Sequence, residues 1–179
     1  KTATPKPGVF IHRQGSDHRV GEVLVKPGVR LGPVETSVAA ACGYAKLQVT
    51  RQARISLIGT GDELVPIGEK PAPGKIRQTN VPALAASLKL AGHGALESAH
   101  AQDEAATMRK LLEGIFFNSD VAVLTGGVSK GRRDLVPEIL EELGAEKILH
   151  GVAQRPGKPM AAWKIPSGPV VFGLPGNPV

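Results

Sequence analysis

The spacing of apolar and polar residues changes character at Ile55. Before it, short β-type runs such as VFIH (9–12) and EVLV (22–25) are punctuated by glycines at 15, 21, 28 and 32, the residues that enter tight turns because no Cβ opposes a positive φ. Residues 33–43, PVETSVAAACG, open on proline and close on glycine, which predicts a short helix; KLQVTRQ (46–52) returns as a strand or connector. After it, ISLI (55–58) reads as a buried strand. NVPALAASLKLAG (80–92) predicts a helix capped by Asn80, with Leu84, Leu88 and Ala91 on one face and Gly92 as its stop. A weak strand near 94–98 precedes a helix beginning at Asp103, whose stripe is Met108, Leu111, Leu112 and Ile115. DVAVL (120–124) is a strong strand; a helix over 135–143 and strands near 146–150, 160–165 and 169–173 follow. Strands alternating with helices predict an α/β fold with right-handed crossovers, a mainly parallel sheet and helices on both faces, plus a small β-rich segment at the N-terminus. The expected division is 1–50, part of a β-rich domain with one short helix, and 51–179, the α/β domain.

Composition narrows this picture. The chain has 179 residues, 41% hydrophobic but only 3% aromatic, so the core must be aliphatic and there is little from which to build base-stacking platforms. The net charge of +6 is spread along the chain with no dense basic face, which argues against nucleic acid. It is either a solvated surface or a field that draws anions into a cleft. One cysteine, Cys42 in VAAACG, excludes an internal disulfide framework and a four-cysteine metal site. No apolar run reaches the length of a membrane span, and no leader is visible. A cytoplasmic protein without a membrane role is the expectation.

The candidate chemistry sits at strand ends. The strand at 55–58 enters GTGDE, the strand at 121–124 enters TGGVSKGRRD, and the strand at 170–172 enters GLPGNP. In an open parallel sheet the carboxyl ends of strands share one edge, where ligands bind, so three glycine-rich turns distant in sequence are expected to meet on one rim. Their backbone N–H groups suit a phosphate or similar oxyanion; the alternative is that they are plain connectors. The turns carry Asp62, Glu63 and Asp134, and Asp103 stands between them. Asp103 and Asp134 each read either as helix caps or as ligands of a hard cation, because carboxylates beside an anion pocket make sense when a metal such as Mg²⁺ bridges them to phosphate oxygens. A fourth loop, QRPGKP (154–159), sets Arg155 and Lys158 three apart on a stiff backbone: an oxyanion clamp or two surface cations on a turn.

Together, GSDHRVGEVLVKPGVRLGP, GTGDEL, TGGVSKGRRD, PGKP and GLPGNPV resemble, in that order, the MoeA family of molybdopterin molybdotransferases and its eukaryotic counterpart, the gephyrin E domain. GTGDEL and TGGVSKGRRD also occur in the related MogA family; GSDHRVGE and the closing PGKP and GLPGNPV point to MoeA. The resemblance implies a MogA-like molybdopterin-binding α/β domain, with part of an adjoining β-rich domain, in a transferase that inserts molybdate into adenylylated molybdopterin, releases AMP and uses Mg²⁺. By resemblance the functional acids are Asp17, Glu63, Asp103 and Asp134, of which Glu63, Asp103 and Asp134 would hold the metal. The pterin and its phosphates would meet Gly59, Thr60, Gly61, Thr125, Gly126, Gly127, Ser129, Gly173, Pro175, Gly176 and Asn177. Molybdate would meet Arg155, Lys158 and Pro159.

Two positions depart from the family pattern. Gln78, in IRQTN, stands where an acid is usual, and Gly151 stands where some members carry lysine. The family forms homodimers and works beside a MogA-type enzyme, so both are expected partners. The sequence ends where a helix is expected to begin, which reads as a C-terminally truncated piece that binds ligand even where it does not turn it over. Two other functions share these loops: a MogA-type adenylyltransferase, which makes the intermediate, and a gephyrin-like non-catalytic scaffold.

Overall fold

The computed structural model describes residues 7–127, 135–155 and 157–177. The chain separates into two compact units, 1–50 and 51–179.

In the first unit the punctuating glycines do what their positions demand, but the runs between them do not become strands. The Lys26 carbonyl accepts from Val29 N–H across Pro27–Gly28, with Gly28 at φ 85°, a turn that fixes proline second and needs a left-handed third residue. Two similar turns close at Ser16 and Glu22. No strand forms among the described residues 7–50, so the strands expected at 9–12 and 22–25, and with them the β-rich character of this segment, are not observed. The physical reason is pairing: a strand is stable only with a neighbour in hydrogen-bonding register, and each run here ends in a turn before one is supplied. Phe10 and Val23 are left exposed. The helix does form, as α1, Pro33–Ala41. Glu35 accepts from Gly32 N–H at 2.8 Å and Tyr44 N–H closes onto the Ala39 carbonyl past Gly43, so both ends are satisfied.

The second unit is the expected α/β domain. Its strands are β1 (Ile55–Thr60), β2 (Leu64–Val65), β3 (Ile76–Arg77), β4 (Leu96–Ala101), β5 (Val121–Thr125), β6 (Glu146–His150), β7 (Ala161–Lys164) and β8 (Val170–Leu174). Its helices are α2 (Asn80–Leu90), α3 (Ala105–Asn118) and α4 (Leu135–Glu142). The main sheet runs β4-β1-β5-β8-β7-β6; β4, β1, β5 and β8 are parallel, and β7 and β6 continue it antiparallel. β2 and β3 make a separate parallel ribbon. At two residues a strand it is too short to leave a periodic signal in the sequence.

Strand alternation sorts the side chains between two cores. Ile55 and Leu57 point to one face with Val81, Leu84, Ala85 and Leu88 of α2, together with Val121 and Val123. Ile58, Ala122, Leu124 and Val171 point to the other, against Met108 and Leu112 of α3 and Val136, Ile139 and Leu140 of α4. Among the described residues Trp163 of β7 is the largest fully buried side chain, and its indole N–H has no partner there. The helices are therefore amphipathic for a reason, each giving one apolar stripe to a sheet that is buried on both sides. At the amino end of β1 and β5, Asp120 accepts both terminal nitrogens of Arg51 and the Arg54 N–H at 2.7 Å, while the Ser56 and Ser119 hydroxyls share a buried hydrogen bond of 2.7 Å. This end is locked, which leaves the carboxyl edge for chemistry.

Candidate functional site

The register brings the strand ends into line. Thr60 lies beside Ala101, Gly59 beside Thr125 and Thr125 beside Leu174. Gly59, Thr60, Thr125 and Gly173 are thus the last residues of strands, not parts of loops as the sequence suggested, and the turns spring directly from them. α2 follows β1 on one face and α4 follows β5 on the other. β1 and β5 therefore flank the switch point at which an open α/β sheet leaves a crevice.

The turns are tied to one another. Gly61 N–H donates to the Ala101 carbonyl at 3.2 Å and Gly126 N–H to the Leu174 carbonyl at 3.1 Å. Thr60 Oγ1 donates to the Thr125 carbonyl at 3.3 Å. Asn80, at the head of α2, donates its amide to the Gly176 carbonyl at 2.7 Å; the expected capping role of Asn80 is not realised, because Thr79 precedes the helix without a side-chain cap and the Asn80 amide is spent on the neighbouring turn. Gly126 and Gly127 sit at φ 92° and 62°, and a Cβ on Gly126 would stand 2.8 Å from Thr60 Oγ1 and 2.9 Å from the Thr60 carbonyl oxygen, so only glycine allows this approach. A Cβ on Gly176 would stand 3.2 Å from Gly126 Cα. The turns after β1, β5 and β8 meet on one rim.

Between them and the β2–β3 ribbon lies a cavity of about 420 Å³, lined among others by Thr60, Glu63, Lys75, Arg77, Gln78, Asn80, Thr125 and Gly176. Backbone bonds from Ile76 N–H to the Glu63 carbonyl, 2.8 Å, and from Gln78 N–H to the Val65 carbonyl, 2.9 Å, fix the ribbon as its wall. Thr125 is buried, and its hydroxyl has no partner among the described residues. Gln78 packs its amide onto the backbone of Gly59, where any Cβ would overlap it.

The acids divide. Asp103 does not cap α3; Glu104 does, accepting from Ala106 and Thr107 N–H, and the Thr107 hydroxyl and N–H with the Ala106 N–H hold its carboxyl below the usual range. Asp103 instead faces Asp62: the Asp62 carboxylate accepts from Asp103 N–H at 3.0 Å, and Asp62 N–H points back to the Asp103 carboxylate at 3.4 Å. His100 Nε2–H donates to the Gly61 carbonyl at 2.8 Å. Glu63 folds its carboxylate over Gly61. Asp17 belongs to the first unit, exposed beside His12. Asp134 and Ser129 lie outside the described residues. Among the described residues no three metal-ligating side chains come together; Asp134, the third acid assigned to the metal, lies outside them.

The sheet directions also put residues 151–160 on this rim. This loop leaves the carboxyl end of β6 and enters β7 opposite Gly173 of β8. Gly151 N–H donates to the Met160 carbonyl at 2.7 Å and Val152 N–H to the Lys158 carbonyl at 2.9 Å, so Gly151, at φ 81°, serves the hairpin. Arg155 and Lys158 are exposed and Pro159 is half-buried; none of the three lines the cavity. Two strand spacings separate β7 from β5, about 10 Å.

Sequence reasoning had not singled out Lys75, Arg77, His100 or the cavity role of Asn80. Lys75 and Arg77 lie in a stretch without periodicity, and their only signal was the charge in GKIR.

The family model described as "Probable molybdopterin binding domain" matches residues 56–179. The chain belongs to this molybdopterin-binding domain family. The molybdopterin molybdenumtransferase of Synechocystis sp. is 36% identical over 175 residues, covering 97% of this chain and 45% of that protein. The protein of the same name from Synechococcus elongatus is 39% identical over 182 residues, covering 99% and 45%. The crystal structure of the molybdopterin biosynthesis MoeA protein from Pyrococcus horikosii superposes with a TM-score of 0.70 at 36% identity, over 90% of this chain and 40% of that one. The chain thus spans less than half the length of these relatives. The family match covers the sheet and its rim. Among the described residues no helix is long and apolar enough to cross a membrane.

Proposed function

We propose that this chain belongs to a molybdopterin molybdotransferase of molybdenum cofactor biosynthesis, and that it binds adenylylated molybdopterin in the β1–β5 crevice while molybdate is delivered from the 151–160 hairpin, with release of AMP. The observation that supports this most is the meeting of three glycine turns around one cavity at a switch point. The backbone N–H of Gly127 offers a dipole to a phosphate and a departing AMP, while Gly61, Gly126, Thr60 and Thr125, tied to one another and to their neighbours within the rim, shape the crevice around it. Gly59, Gly173, Pro175, Gly176, Asn177 and Ser129 complete the pterin-binding assignment. Arg155, Lys158 and Pro159, about 10 Å along the rim, are the molybdate contacts. Glu63 and Asp103 act at the phosphate side of the crevice; Asp134 and Asp17 are assigned on resemblance alone. A homodimer, a MogA-type partner and a cytoplasmic location belong to the same proposal. The names of the relatives favour this reading over an adenylyltransferase or a scaffold.

The test is calorimetric titration of the chain with adenylylated molybdopterin, alongside Thr60→Val and Glu63→Ala. Saturable binding is expected, weakened about tenfold by Thr60→Val, which removes the hydroxyl that ties β1 to β5 at the crevice, and by Glu63→Ala when Mg²⁺ is present. Absence of binding by the unaltered chain would sink the reading. Product analysis then separates the enzymes: AMP freed on adding molybdate supports molybdotransfer, AMP joined to molybdopterin from ATP supports the adenylyltransferase.

A further inference from the structure

The cavity has a wall that the glycine turns do not explain. On the β2–β3 ribbon and the turn leading into β3, Arg77 and Lys75 line it together with Thr60 and Thr125. Lys75 Nζ donates to the Asp62 carbonyl at 2.7 Å, and Arg77 Nε donates to the Ile67 carbonyl at 3.2 Å. Neither side chain meets a carboxylate among the described residues. The rest of the Arg77 guanidinium has no hydrogen-bonding partner there. Ordering a long cationic side chain costs up to about 2 kcal/mol of rotamer freedom, and a neutral carbonyl that holds it does not cancel its charge. Two cations, positioned but not neutralised among the described residues, line the cavity together with Thr60 and Thr125. Glu63, the one acid among the described lining residues, is turned onto Gly61.

We propose that Lys75 and Arg77 form a diphosphate-reading clamp. The two ribbon cations would grip a pyrophosphate linkage, one on each phosphoryl group, so that these residues distinguish a ligand carrying a diphosphate from one carrying a single phosphate. This rests on the pterin reading above insofar as adenylylation of a phosphate creates such a linkage. Molybdate, handled at the separate hairpin, does not enter it. Guanidinium and ammonium groups held in advance recognise phosphate oxygens with little further ordering cost.

The experiment is calorimetric titration of the whole chain with inorganic pyrophosphate and with orthophosphate at low ionic strength, using Lys75→Gln, Arg77→Gln and the double variant. Lys110→Gln on the exposed side of α3 is the control. Lys75→Arg and Arg77→Lys keep the charge and guard against a folding defect, which the fluorescence of Trp163 monitors. Each neutralisation is expected to weaken pyrophosphate binding about tenfold and the pair about a hundredfold. Orthophosphate, the control and the charge-keeping variants should move by less than about threefold. Neutralised variants that bind pyrophosphate as the unaltered chain does, or an unaltered chain that does not bind it, overturn the clamp. Ribbon-dependent pyrophosphate binding without any affinity for adenylylated molybdopterin leaves the clamp standing and removes the pterin reading.

Discussion

At the scale of single residues, two glycines of the rim respond oppositely to a methyl group. Gly126 combines a positive φ with the Thr60 carbonyl oxygen 2.9 Å from any added Cβ, so neither backbone has room to give. Gly126→Ala is expected to cost about 1–3 kcal/mol of stability, read from urea unfolding followed by Trp163. At Gly59 a Cβ meets only the tip of the flexible Gln78 side chain; Gly59→Ala should leave stability within about 0.5 kcal/mol but displace Gln78 and change ligand affinity. Equal losses in both variants would refute the distinction. Asp120 gives a pH-dependent signature. Hydrogen bonds from Arg51, then from Arg54 N–H, hold its carboxyl well below the usual aspartate range. A depressed folded value means that the contribution is complete above the unfolded value near 3.9 and disappears as pH falls below it. Asp120→Asn should therefore lower the unfolding midpoint near neutral pH, and the gap between variant and parent should narrow below about pH 3. An unchanged gap across that range would show that the carboxylate charge plays no part. What the sequence disclosed at this scale was chemistry by type. The turns around Gly61, Gly126 and Gly176 were visible because glycine clusters at strand ends are, whereas Lys75 and Arg77 were not, since their relevance comes from a ribbon closed by two backbone bonds.

At the scale of elements, legibility followed length and burial. β1, β5, α2 and α3 announce themselves because each must feed an apolar stripe into a core, and Leu112 shows how strict that demand is: fully buried on α3, it packs in the larger core with Met108, Leu140 and Val171. Leu112→Ala is expected to cost about 2–5 kcal/mol, measured as a shift in denaturant midpoint, and a loss under about 1 kcal/mol would mean that this core is not close-packed. The boundaries moved where tertiary contacts outweighed local signals. β1 runs two residues further than its apolar stretch because Gly59 and Thr60 pair with β4. α3 starts at Ala105 because Glu104, not Asp103, supplies the capping carboxylate. The runs at 9–12 and 22–25 had the right residues for strands and no partners, so propensity without pairing produced turns.

At the scale of the molecule, the positive charge of +6 is a field as well as a composition. Anion binding at the rim should weaken as ionic strength rises, because the screening length is about 10 Å at 0.1 M. Pyrophosphate titrations at low and physiological salt check this, and equal affinities would confine recognition to short-range hydrogen bonds. The α/β class was readable from alternation alone. The strand order was not, because which strands become neighbours depends on where the crossovers land, and the reversal at β7 has no counterpart in residue pattern.

That reversal decides more than an edge. β8 is the last strand to pair in parallel, and the chain reaches it only after going out along β6 and back along β7. Because the number of direction changes is even, the connector between β6 and β7 emerges on the same side as the turns after β1 and β5. Were β7 parallel to β8, Arg155 and Lys158 would instead precede it at the locked amino end of the sheet. Whether the hairpin serves the crevice at all is thus a matter of parity, which no point substitution can alter.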